Sequence, residues 1–251
     1  MTDFSQGEVI LVTGASGAIG FEIAAQAAEA GAIVGVHGSR PESVADAIFR
    51  LSQRVPHARF IAAPADFREP GAIEAAVEQV ASEGGRLDAV VHCGITGAPG
   101  VAGVFARNDP AGFASHAALV IGSFQQLCHA ALPHLARQGG TIVCLASDAG
   151  RFGSPRQAVV GAAFDGIMSF VRNLALEVAR DGVRVHCISP SFVAETPVFE
   201  THAARADAAR QRAGLGLPKP ADIAPMVLFL CGAGATRITG QVISINGGLN
   251  A

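Results

Sequence analysis

The residues with the clearest chemical meaning form a glycine-rich loop near the start of the chain. The octet Thr13-Gly14-Ala15-Ser16-Gly17-Ala18-Ile19-Gly20 follows a β-branched run and opens a segment of helical period. Gly14 permits a tight turn, Gly17 lets the backbone approach a phosphate, and Gly20 lets the helix pack against the strand. The N–H groups at the start of the helix and its dipole favour an anion. Because the pattern lies between a strand and a helix, it predicts a loop that binds a pyrophosphate.

Two residue types that often transfer protons in enzymes, tyrosine and lysine, are absent or nearly absent from the sequence. It contains no tyrosine, and Lys219 is its only lysine. Any mechanism that requires a tyrosine or a lysine as proton donor is therefore tightly bounded by composition alone.

Short β-branched runs alternate with alanine-rich segments of helical period along the chain. The runs predict strands at Glu8 to Thr13, Ala32 to His37, Arg59 to Ala63, Asp88 to His92, Gly140 to Leu145, Val183 to Ile188 and Gln241 to Ile245. The segments between them predict helices at Ala18 to Ala30, Glu42 to Arg54, Pro70 to Ser82, Gln157 to Arg180 and Asp222 to Cys231, and a long helix that ends at His134. Strands that are apolar on both faces and alternate with helices predict a doubly wound α/β fold with a parallel sheet of about seven strands. No linker or repeat divides residues 1–251, so a single domain is expected.

Composition narrows the class of protein further. Half of the 251 residues are hydrophobic, 16% are charged and the formal net charge is −3, with no basic stripe to bind nucleic acid. No apolar run approaches the roughly twenty residues that a membrane span needs, and Met1 to Glu8 lacks the features of a secretory signal. The five cysteines are widely spaced, which predicts buried thiols rather than disulfides or a zinc site. A cytoplasmic protein without nucleic acid, membrane or metal partners is expected.

The segment Pro197 to Pro220 differs in texture from the rest of the chain. It is rich in alanine and arginine and ends in Gly214-Leu215-Gly216-Leu217-Pro218. Two interpretations remain open: an insertion over the ends of the strands, where ligands bind, or an ordinary solvated helix.

The glycine loop resembles the TGxxxGIG loop of the short-chain dehydrogenase/reductase family, and the resemblance continues to the end of the chain. Further matching segments are Leu87 to Val91, Ala130 to Leu135, Gly139 to Val143, Leu174 to Glu177, Gly182 to Val185, Ile188 to Val193, Ile238 to Gln241 and Asn246 to Gly248. Essentially the whole chain is covered. The resemblance implies a Rossmann-like domain that binds NAD or NADP and catalyses alcohol oxidation or ketone reduction.

The resemblance also implies which residues contact the dinucleotide. They are Gly14, Ser16, Gly17, Ile19, Gly20, Pro190 and Thr196, together with Asp66 as the acid that holds the adenine. The second predicted strand ends in His37-Gly38-Ser39-Arg40 and offers no acid to a ribose 2′-hydroxyl. Arg40 is either a partner for a 2′-phosphate, which would favour NADP slightly over NAD, or a solvent-facing arginine.

The catalytic positions of the family are almost all replaced. In the family, a serine precedes a tyrosine by thirteen residues and a lysine follows four later, one helical turn on. Ser147 matches the serine, but Val160 and Phe164 stand where the tyrosine and lysine belong. The asparagine of the preceding helix corresponds to Val120, or to Leu119 with a shift of one residue, and the NNAG loop is shortened to His92-Cys93-Gly94. Because the family lysine also holds the nicotinamide ribose, weakened or absent cofactor binding is expected.

Substitute chemistry has four candidates near the predicted strand ends, namely His92, Cys93, Asp148 and Arg151. His92 is the residue whose ordinary pKa suits proton transfer near neutral pH, although a lone histidine at a strand end is more often structural. Ser147 without a base is expected to be satisfied by the backbone.

Three functions from different classes therefore remain open. The first is a non-catalytic subunit beside an active paralogue in a heteromeric NAD(P)-dependent oxidoreductase, of the hydroxyacyl-CoA dehydrogenase or ketoacyl reductase type. The second is an active oxidoreductase that uses Ser147 with His92 or Asp148, and the third is a dinucleotide-binding sensor.

The first interpretation rests on surfaces that the family uses to form dimers and tetramers. These are the two long helices and the last strand, and here they keep small and apolar residues: Gly161, Ala162, Ala163, Gly166, Met168 and Val242 to Leu249. The partner is expected to be an active paralogue or a second copy of this chain.

Overall fold

The fold is that of a computed structural model, which describes residues 6–94, 101–197, 199 and 203–250. The described residues form one parallel sheet of seven strands, in the order β3-β2-β1-β4-β5-β6-β7. The strands are β1 (Val9–Thr13), β2 (Ile33–Val36), β3 (Phe60–Ala62), β4 (Ala89–His92), β5 (Gly140–Leu145), β6 (Val183–Pro190) and β7 (Val242–Ile245). All of the paired strands are parallel, so their carboxyl ends meet at one edge. The predicted doubly wound sheet is confirmed.

Helices cover both faces of the sheet. They are α1 (Ala18–Glu29), α2 (Pro41–Arg54), α3 (Ala72–Gly84), α4 (Ala111–Ala117), α5 (Ser123–Leu135), α6 (Ala158–Val178), α7 (Ala203–Arg212) and α8 (Pro220–Cys231). Successive side chains of β1 point to opposite faces. Val9 and Leu11 therefore join a core with residues of α3, α5 and α6, whereas Ile10 and Val12 join a second core with residues of α1, α2 and α8.

One predicted helix has an internal irregularity that its periodicity does not reveal. Between α4 and α5 the backbone forms a π-helical turn over Ala118–Gly122, which inserts one residue into the helical repeat. This turn carries Leu119 and Val120, the two counterparts of the family asparagine. Val120 is buried in the core, and Ser123 Oγ donates a hydrogen bond to the carbonyl oxygen of Leu119.

Among the described helices, α6 is unusually long and apolar. The stretch Ala158–Asp181 passes a test of length and composition for a membrane span. Its apolar side, including Ile167, Met168 and Val171, packs into the core between the sheet and the π turn. The apolar residues of this helix cover the buried sheet, whereas its exposed side carries mainly polar and charged residues such as Asp165, Arg172 and Glu177.

The segment Pro197 to Pro220 lies over the carboxyl edge of the sheet and is tied to the end of the chain. Residues 198 and 200–202 of this segment lie outside the described part of the chain, as do residues 1–5 of the predicted signal-free start. Leu215 N–H donates to Gly247 O over 2.9 Å, and Ala194 N–H donates to Pro218 O over 2.8 Å. Gly216 O lies too close to Gly247 for a side chain at position 247. These contacts join the insertion to the strand ends.

Candidate functional site

The glycine loop forms the first part of the site at the carboxyl end of β1. Gly14 has a φ of 67° and approaches the β4 loop so closely that a Cβ would lie 2.8 Å from Gly94 Cα. Gly20 packs on the carbonyl oxygen of Gly14, where no side chain would fit. These two contacts explain the need for glycine at both ends of the loop.

The middle of the loop departs from the expected pattern by one position. Counted from Gly14, the second glycine of TGxxxGIG falls on Ala18, and Gly17 lies one residue earlier. Gly17 precedes α1 in an extended conformation with φ −89° and ψ 163°, and the nearest atom to a Cβ there would be Gly14 O at 3.4 Å. The first turn of α1 contains no acidic residue. The space beside Gly17 and the positive end of α1 therefore suit a phosphate.

His37 at the end of β2 holds the glycine loop in place. Its Nδ1 accepts a hydrogen bond from Gly14 N–H over 3.1 Å, and its Nε2 lies 3.0 Å from Ala65 O. The ring stacks on Phe67 with centroids 4.3 Å apart. Burial lowers the pKa of His37 to about 4, so the imidazole is neutral near pH 7 and fixes the loop without adding charge. No local pattern predicts this contact, because it depends on the pairing of β1 with β2.

Two hydroxyls and a guanidinium lie beyond the end of β2. A Cβ on Gly38 would lie 3.0 Å from Ser16 Oγ and 3.1 Å from Ser43 Oγ, so the two hydroxyls flank this glycine. Ser43 Oγ donates to Arg40 O over 2.7 Å, and the exposed Arg40 directly precedes α2. Hydroxyl and guanidinium donors of this kind suit a phosphate or ribose oxygens.

Asp66 follows β3 and pairs with a neighbouring arginine. Arg68 Nε and Nη2 donate to the two carboxylate oxygens over 2.9 and 2.5 Å. Hydrogen bonds from Arg68 hold the pKa of Asp66 at about 2. The Arg68 side chain is 73% exposed, so the pair is a surface ion pair that contributes little to stability.

Ser147 lies at the turn after β5, and Val160 and Phe164 lie in the first half of α6. Ser147 Oγ accepts a hydrogen bond from Ala149 N–H over 3.2 Å and caps a 3₁₀ turn over Asp148–Gly150. That turn packs against α6, since a Cβ on Gly150 would lie 2.5 Å from Asp165 N. Val160 and Phe164 are half-buried on α6, and Phe164 packs against the core. The turn that Ser147 caps and the part of α6 that carries Phe164 are therefore neighbours, since a Cβ on Gly150 would also lie 2.8 Å from Phe164 Cβ. That Ser147, Val160 and Phe164 share one site stays a prediction.

His92 is enclosed in the core rather than exposed to a substrate. Its Nδ1 lies 2.8 Å from Thr13 Oγ1, and its ring stacks between Phe67 and Phe124 with centroids 6.1 and 5.5 Å away. Burial lowers the pKa of His92 to about 3. An imidazole with this pKa is unprotonated near pH 7, so it has no ionisable proton to give to a carbonyl oxygen. The neighbouring thiol of Cys93 has its pKa raised by burial, which keeps it protonated.

Asp148 is a structural hub that the sequence did not reveal. Its Oδ1 accepts from Ser189 Oγ over 2.9 Å and from Ser244 Oγ over 2.6 Å, and its Oδ2 accepts from Asn246 Nδ2 over 2.6 Å. The carboxylate is 1% exposed and joins the ends of β5, β6 and β7. Arg151 turns to the same side and donates to Val242 O and Ser244 Oγ over 3.3 and 3.2 Å. Both side chains bind the sheet edge instead of a reacting group.

The remaining predicted contacts lie along the same edge. Pro190 is the last residue of β6, and Ile19 packs against the second core. Thr196 Oγ1 donates to Val193 O over 2.8 Å and accepts from Phe199 N–H over 3.3 Å. The Thr196 hydroxyl therefore stabilises the start of the insertion.

An apolar groove runs between α4, the π turn and α6. Its cavity has a volume of about 350 Å³ and is lined by Phe105, Phe113, His116, Ala117, Ile121, Ala158, Val159, Ala162 and Ala163. The Phe105 side chain is 59% exposed and stacks with Phe113. Ala162 is exposed in this groove, whereas the neighbouring Ala163 belongs to the core.

Sheet topology, glycine loop and the serine after β5 together define the class of doubly wound oxidoreductase domains that bind nicotinamide dinucleotides. A family model described as "Enoyl-(Acyl carrier protein) reductase" matches residues 14–250. The chain belongs to the short-chain dehydrogenase/reductase family.

Similar proteins cover nearly the whole chain. It is 31% identical over 246 residues to the 3-oxoacyl-(acyl-carrier-protein) reductase FabG of Chlamydia trachomatis serovar D, covering 95% of this chain and 96% of the relative. It is 31% identical to the FabG of Escherichia coli K12, covering 97% and 98% of the two chains.

Solved structures have the same fold. A dehydrogenase/reductase from Sinorhizobium meliloti 1021 superposes with a TM-score of 0.90 at 26% identity, covering 100% and 98% of the two chains. A 7α-hydroxysteroid dehydrogenase, solved with NADH and 7-oxo glycochenodeoxycholic acid, superposes with a TM-score of 0.88 at 25% identity, covering 97% and 94%.

Proposed function

We propose that this chain is a non-catalytic short-chain dehydrogenase/reductase subunit that assembles with an active paralogue. The assembly would be a cytoplasmic NAD(P)-dependent oxidoreductase of the ketoacyl reductase or hydroxyacyl-CoA dehydrogenase type. The observation that carries the proposal is the pair Val160 and Phe164 on α6, at the positions that match the family tyrosine and lysine, with Ser147 as the family catalytic position that is retained. Neither hydrocarbon side chain donates a proton, and general acid–base catalysis alone is worth about 10²–10⁴ in rate.

Substitute proton donors are committed elsewhere. His92 lies in an aromatic stack with a pKa of about 3, and the carboxylate of Asp148 accepts hydrogen bonds from three strand-end side chains. Ser147 keeps its hydroxyl but is joined by a backbone N–H and no base. These contacts disfavour an active enzyme with a rewired proton path.

The groove beside α6 supports the partner. Val159, Ala162 and Ile121 present small and aliphatic side chains there, and Phe105 is largely exposed. Small residues let a second helix approach closely, and buried apolar area stabilises association. The FabG relatives make a 3-oxoacyl reductase of the same family the first candidate for the partner.

A dinucleotide-binding sensor is the second candidate function. The open space beside Gly17 and the donors Ser16, Ser43 and Arg40 favour it over a bare scaffold. Such a sensor would bind the dinucleotide without catalysing hydride transfer.

Coexpression separates these functions. The chain is produced alone and together with a tagged active paralogue, and stable mixed oligomers are scored by copurification and sedimentation. We expect a mixed oligomer whose turnover requires the partner's catalytic tyrosine. A chain that remains alone and reduces a ketone by itself overturns the proposal, and a chain that remains alone and only binds dinucleotide supports the sensor.

A further inference from the structure

The site surrounds the two halves of a dinucleotide with opposite chemistry. Polar donors lie at the glycine loop and at the end of β2, on the side of the adenosine. Hydrocarbon side chains, namely Val160 and Phe164 of α6 and Val120 of the π turn, stand where the family holds the nicotinamide riboside. We infer that this chain recognises the ADP half of a dinucleotide and gains no affinity from the nicotinamide riboside. The inference rests on the proposed function, because it follows from the same loss of polar side chains.

On the adenosine side, the backbone is arranged to accept phosphate. His37 fixes Gly14 through a 3.1 Å hydrogen bond, so the loop is ordered before a ligand arrives. The extended Gly17 leaves room for an anion at the positive end of α1, whose first turn carries no acid. Preorganised donors of this kind lose little conformational freedom on binding.

The residues around the end of β2 provide further donors that do not depend on the dipole of α1. Gly38 brings Ser16 Oγ and Ser43 Oγ within about 3 Å of a single point, and Arg40 follows two residues later. The first turn of α2, directly after Arg40, carries one acidic residue, the exposed Glu42. Asp66 remains available to an adenine amino group once the exposed Arg68 moves away.

The nicotinamide side lacks the corresponding donors. Phe164 occupies the position of the lysine that holds the ribose, Val160 that of the tyrosine, and Val120 lies buried in the core. Ribose hydroxyls placed against these side chains would lose water without gaining hydrogen bonds, which is unfavourable. The riboside is therefore expected to remain in solvent while the ADP half is bound.

Matched ligands test this division by calorimetry on the intact chain. ADP is compared with NADH, and 2′-phospho-ADP with NADPH. Within each pair the ligands differ by the nicotinamide riboside and by the one negative charge that the terminal phosphate loses when the riboside is attached. We expect the dissociation constants within each pair to agree within about threefold. A dinucleotide that binds tenfold or more tightly than its matched fragment overturns the inference, as does the absence of binding by all four ligands at millimolar concentration.

Two variants connect the result to the named residues. Gly17→Asp places a carboxylate where the phosphate is expected; aspartate is also favourable before a helix, so stability should be kept. This variant should weaken all four ligands at least tenfold while its unfolding curve stays at or above that of the natural chain. Phe164→Lys should strengthen NADH and NADPH but not ADP or 2′-phospho-ADP. A Phe164→Lys variant that strengthens the fragments equally contradicts the inference.

Failure of this inference is distinguishable from failure of the proposed function. Turnover of NADPH with a ketone by the isolated chain overturns the function, whatever the ratio of affinities. Strong riboside recognition without turnover overturns the inference alone and leaves the non-catalytic subunit intact.

Discussion

Asn246 Nδ2 donates a 2.6 Å hydrogen bond to Asp148 Oδ2, although 98 residues separate the two side chains. Ser189 and Ser244 donate to the other oxygen of the same carboxylate. The end of the chain is thereby attached to the turn that carries Ser147, at the edge of the sheet where the ligand is expected. An acid that looked like a substitute catalyst is instead the centre of a buried polar network.

Loss of the Asp148 carboxylate should destabilise the fold. Asp148→Ala removes the acceptor of the buried Ser189 hydroxyl, of the half-buried Ser244 hydroxyl and of one Asn246 N–H, whose Nδ2 keeps its bond to Asn250 O. Each buried group left unsatisfied costs about 1–3 kcal/mol. The free energy of unfolding should fall by about 3–5 kcal/mol, measured by urea denaturation. The control is Asp46→Ala, whose carboxylate is 66% exposed and pairs with Arg50, and it should change stability by less than about 0.5 kcal/mol. An Asp148→Ala effect as small as the control contradicts the network.

The free energy of unfolding should fall steeply as the pH is lowered through a range set by the buried histidines. Burial lowers the pKa of His37 to about 4, of His92 to about 3 and of His186 to about 4. In the unfolded chain these groups titrate near pH 6.5, so between about pH 6.5 and 4 the unfolded state binds more protons. Stability from these groups is complete above pH 6.5 and is lost as the pH falls. Three histidines should remove about 3–4 kcal/mol between pH 6 and pH 5.

Urea denaturation at pH 7.5, 6.0 and 5.0 measures this dependence. His92→Asn should reduce the loss of stability between pH 6 and 5 by about a third. The variant has two of the three buried histidines, so on unfolding it takes up one proton fewer than the natural chain. His129→Gln, at an exposed position of α5, is measured alongside as the matched substitution. A pH dependence that His92→Asn leaves untouched would show that His92 is not buried as a neutral ring.

Arg40 should distinguish phosphorylated from unphosphorylated adenosine. A charge-assisted hydrogen bond to a 2′-phosphate is worth about 1.5–3 kcal/mol, or roughly tenfold to a hundredfold in affinity. Arg40→Ala should weaken 2′-phospho-ADP at least tenfold by calorimetry and leave ADP nearly unchanged. Arg50→Ala, on the same helix, is the control because its guanidinium stacks on Phe21. Equal weakening of both ligands by Arg40→Ala would contradict a 2′-phosphate contact.

The groove beside α6 should be the surface that holds another subunit. Ala162→Arg places a long charged side chain at an exposed position in this apolar groove. Sedimentation should show a lower mass than that of the natural chain at the same concentration, because the charge must be desolvated on association. Gln79→Arg, on the exposed side of α3, should keep the original mass. Unchanged assembly of the Ala162→Arg chain would place the interface elsewhere.

Local pattern was sufficient to predict the elements of the fold. The runs around Val9–Thr13 and Val183–Pro190 are apolar on both faces, and the helices between strands follow their period to within about two residues. The π turn at Ala118–Gly122 was not predictable, because a single inserted residue hardly changes the apolar period. The groove was not predictable either, because the sequence of α6 does not distinguish the apolar residues that pack in the core from those that line the groove.

The site was predictable where it depends on spacing and not where it depends on register. Ser147, Val160 and Phe164 were located from intervals along the chain. In the structure the turn after Ser147 packs against α6 beside Phe164. The contacts of His37 with Gly14 and of His92 with Thr13 depend on which strands pair, and they span 23 and 79 residues. The partners of Asp148 come from β6, β7 and the end of the chain, so no local pattern relates them.

The most direct test of the central claim is turnover by the chain alone and in a mixed assembly. NADPH oxidation with a 3-oxoacyl substrate is measured for the isolated chain, for the mixed oligomer, and for the mixed oligomer whose partner carries phenylalanine in place of its catalytic tyrosine. A non-catalytic subunit predicts no turnover by the isolated chain, activity in the mixed oligomer, and loss of that activity in the partner variant. Turnover by the isolated chain, or by the mixed oligomer after the partner's tyrosine is removed, would contradict the account.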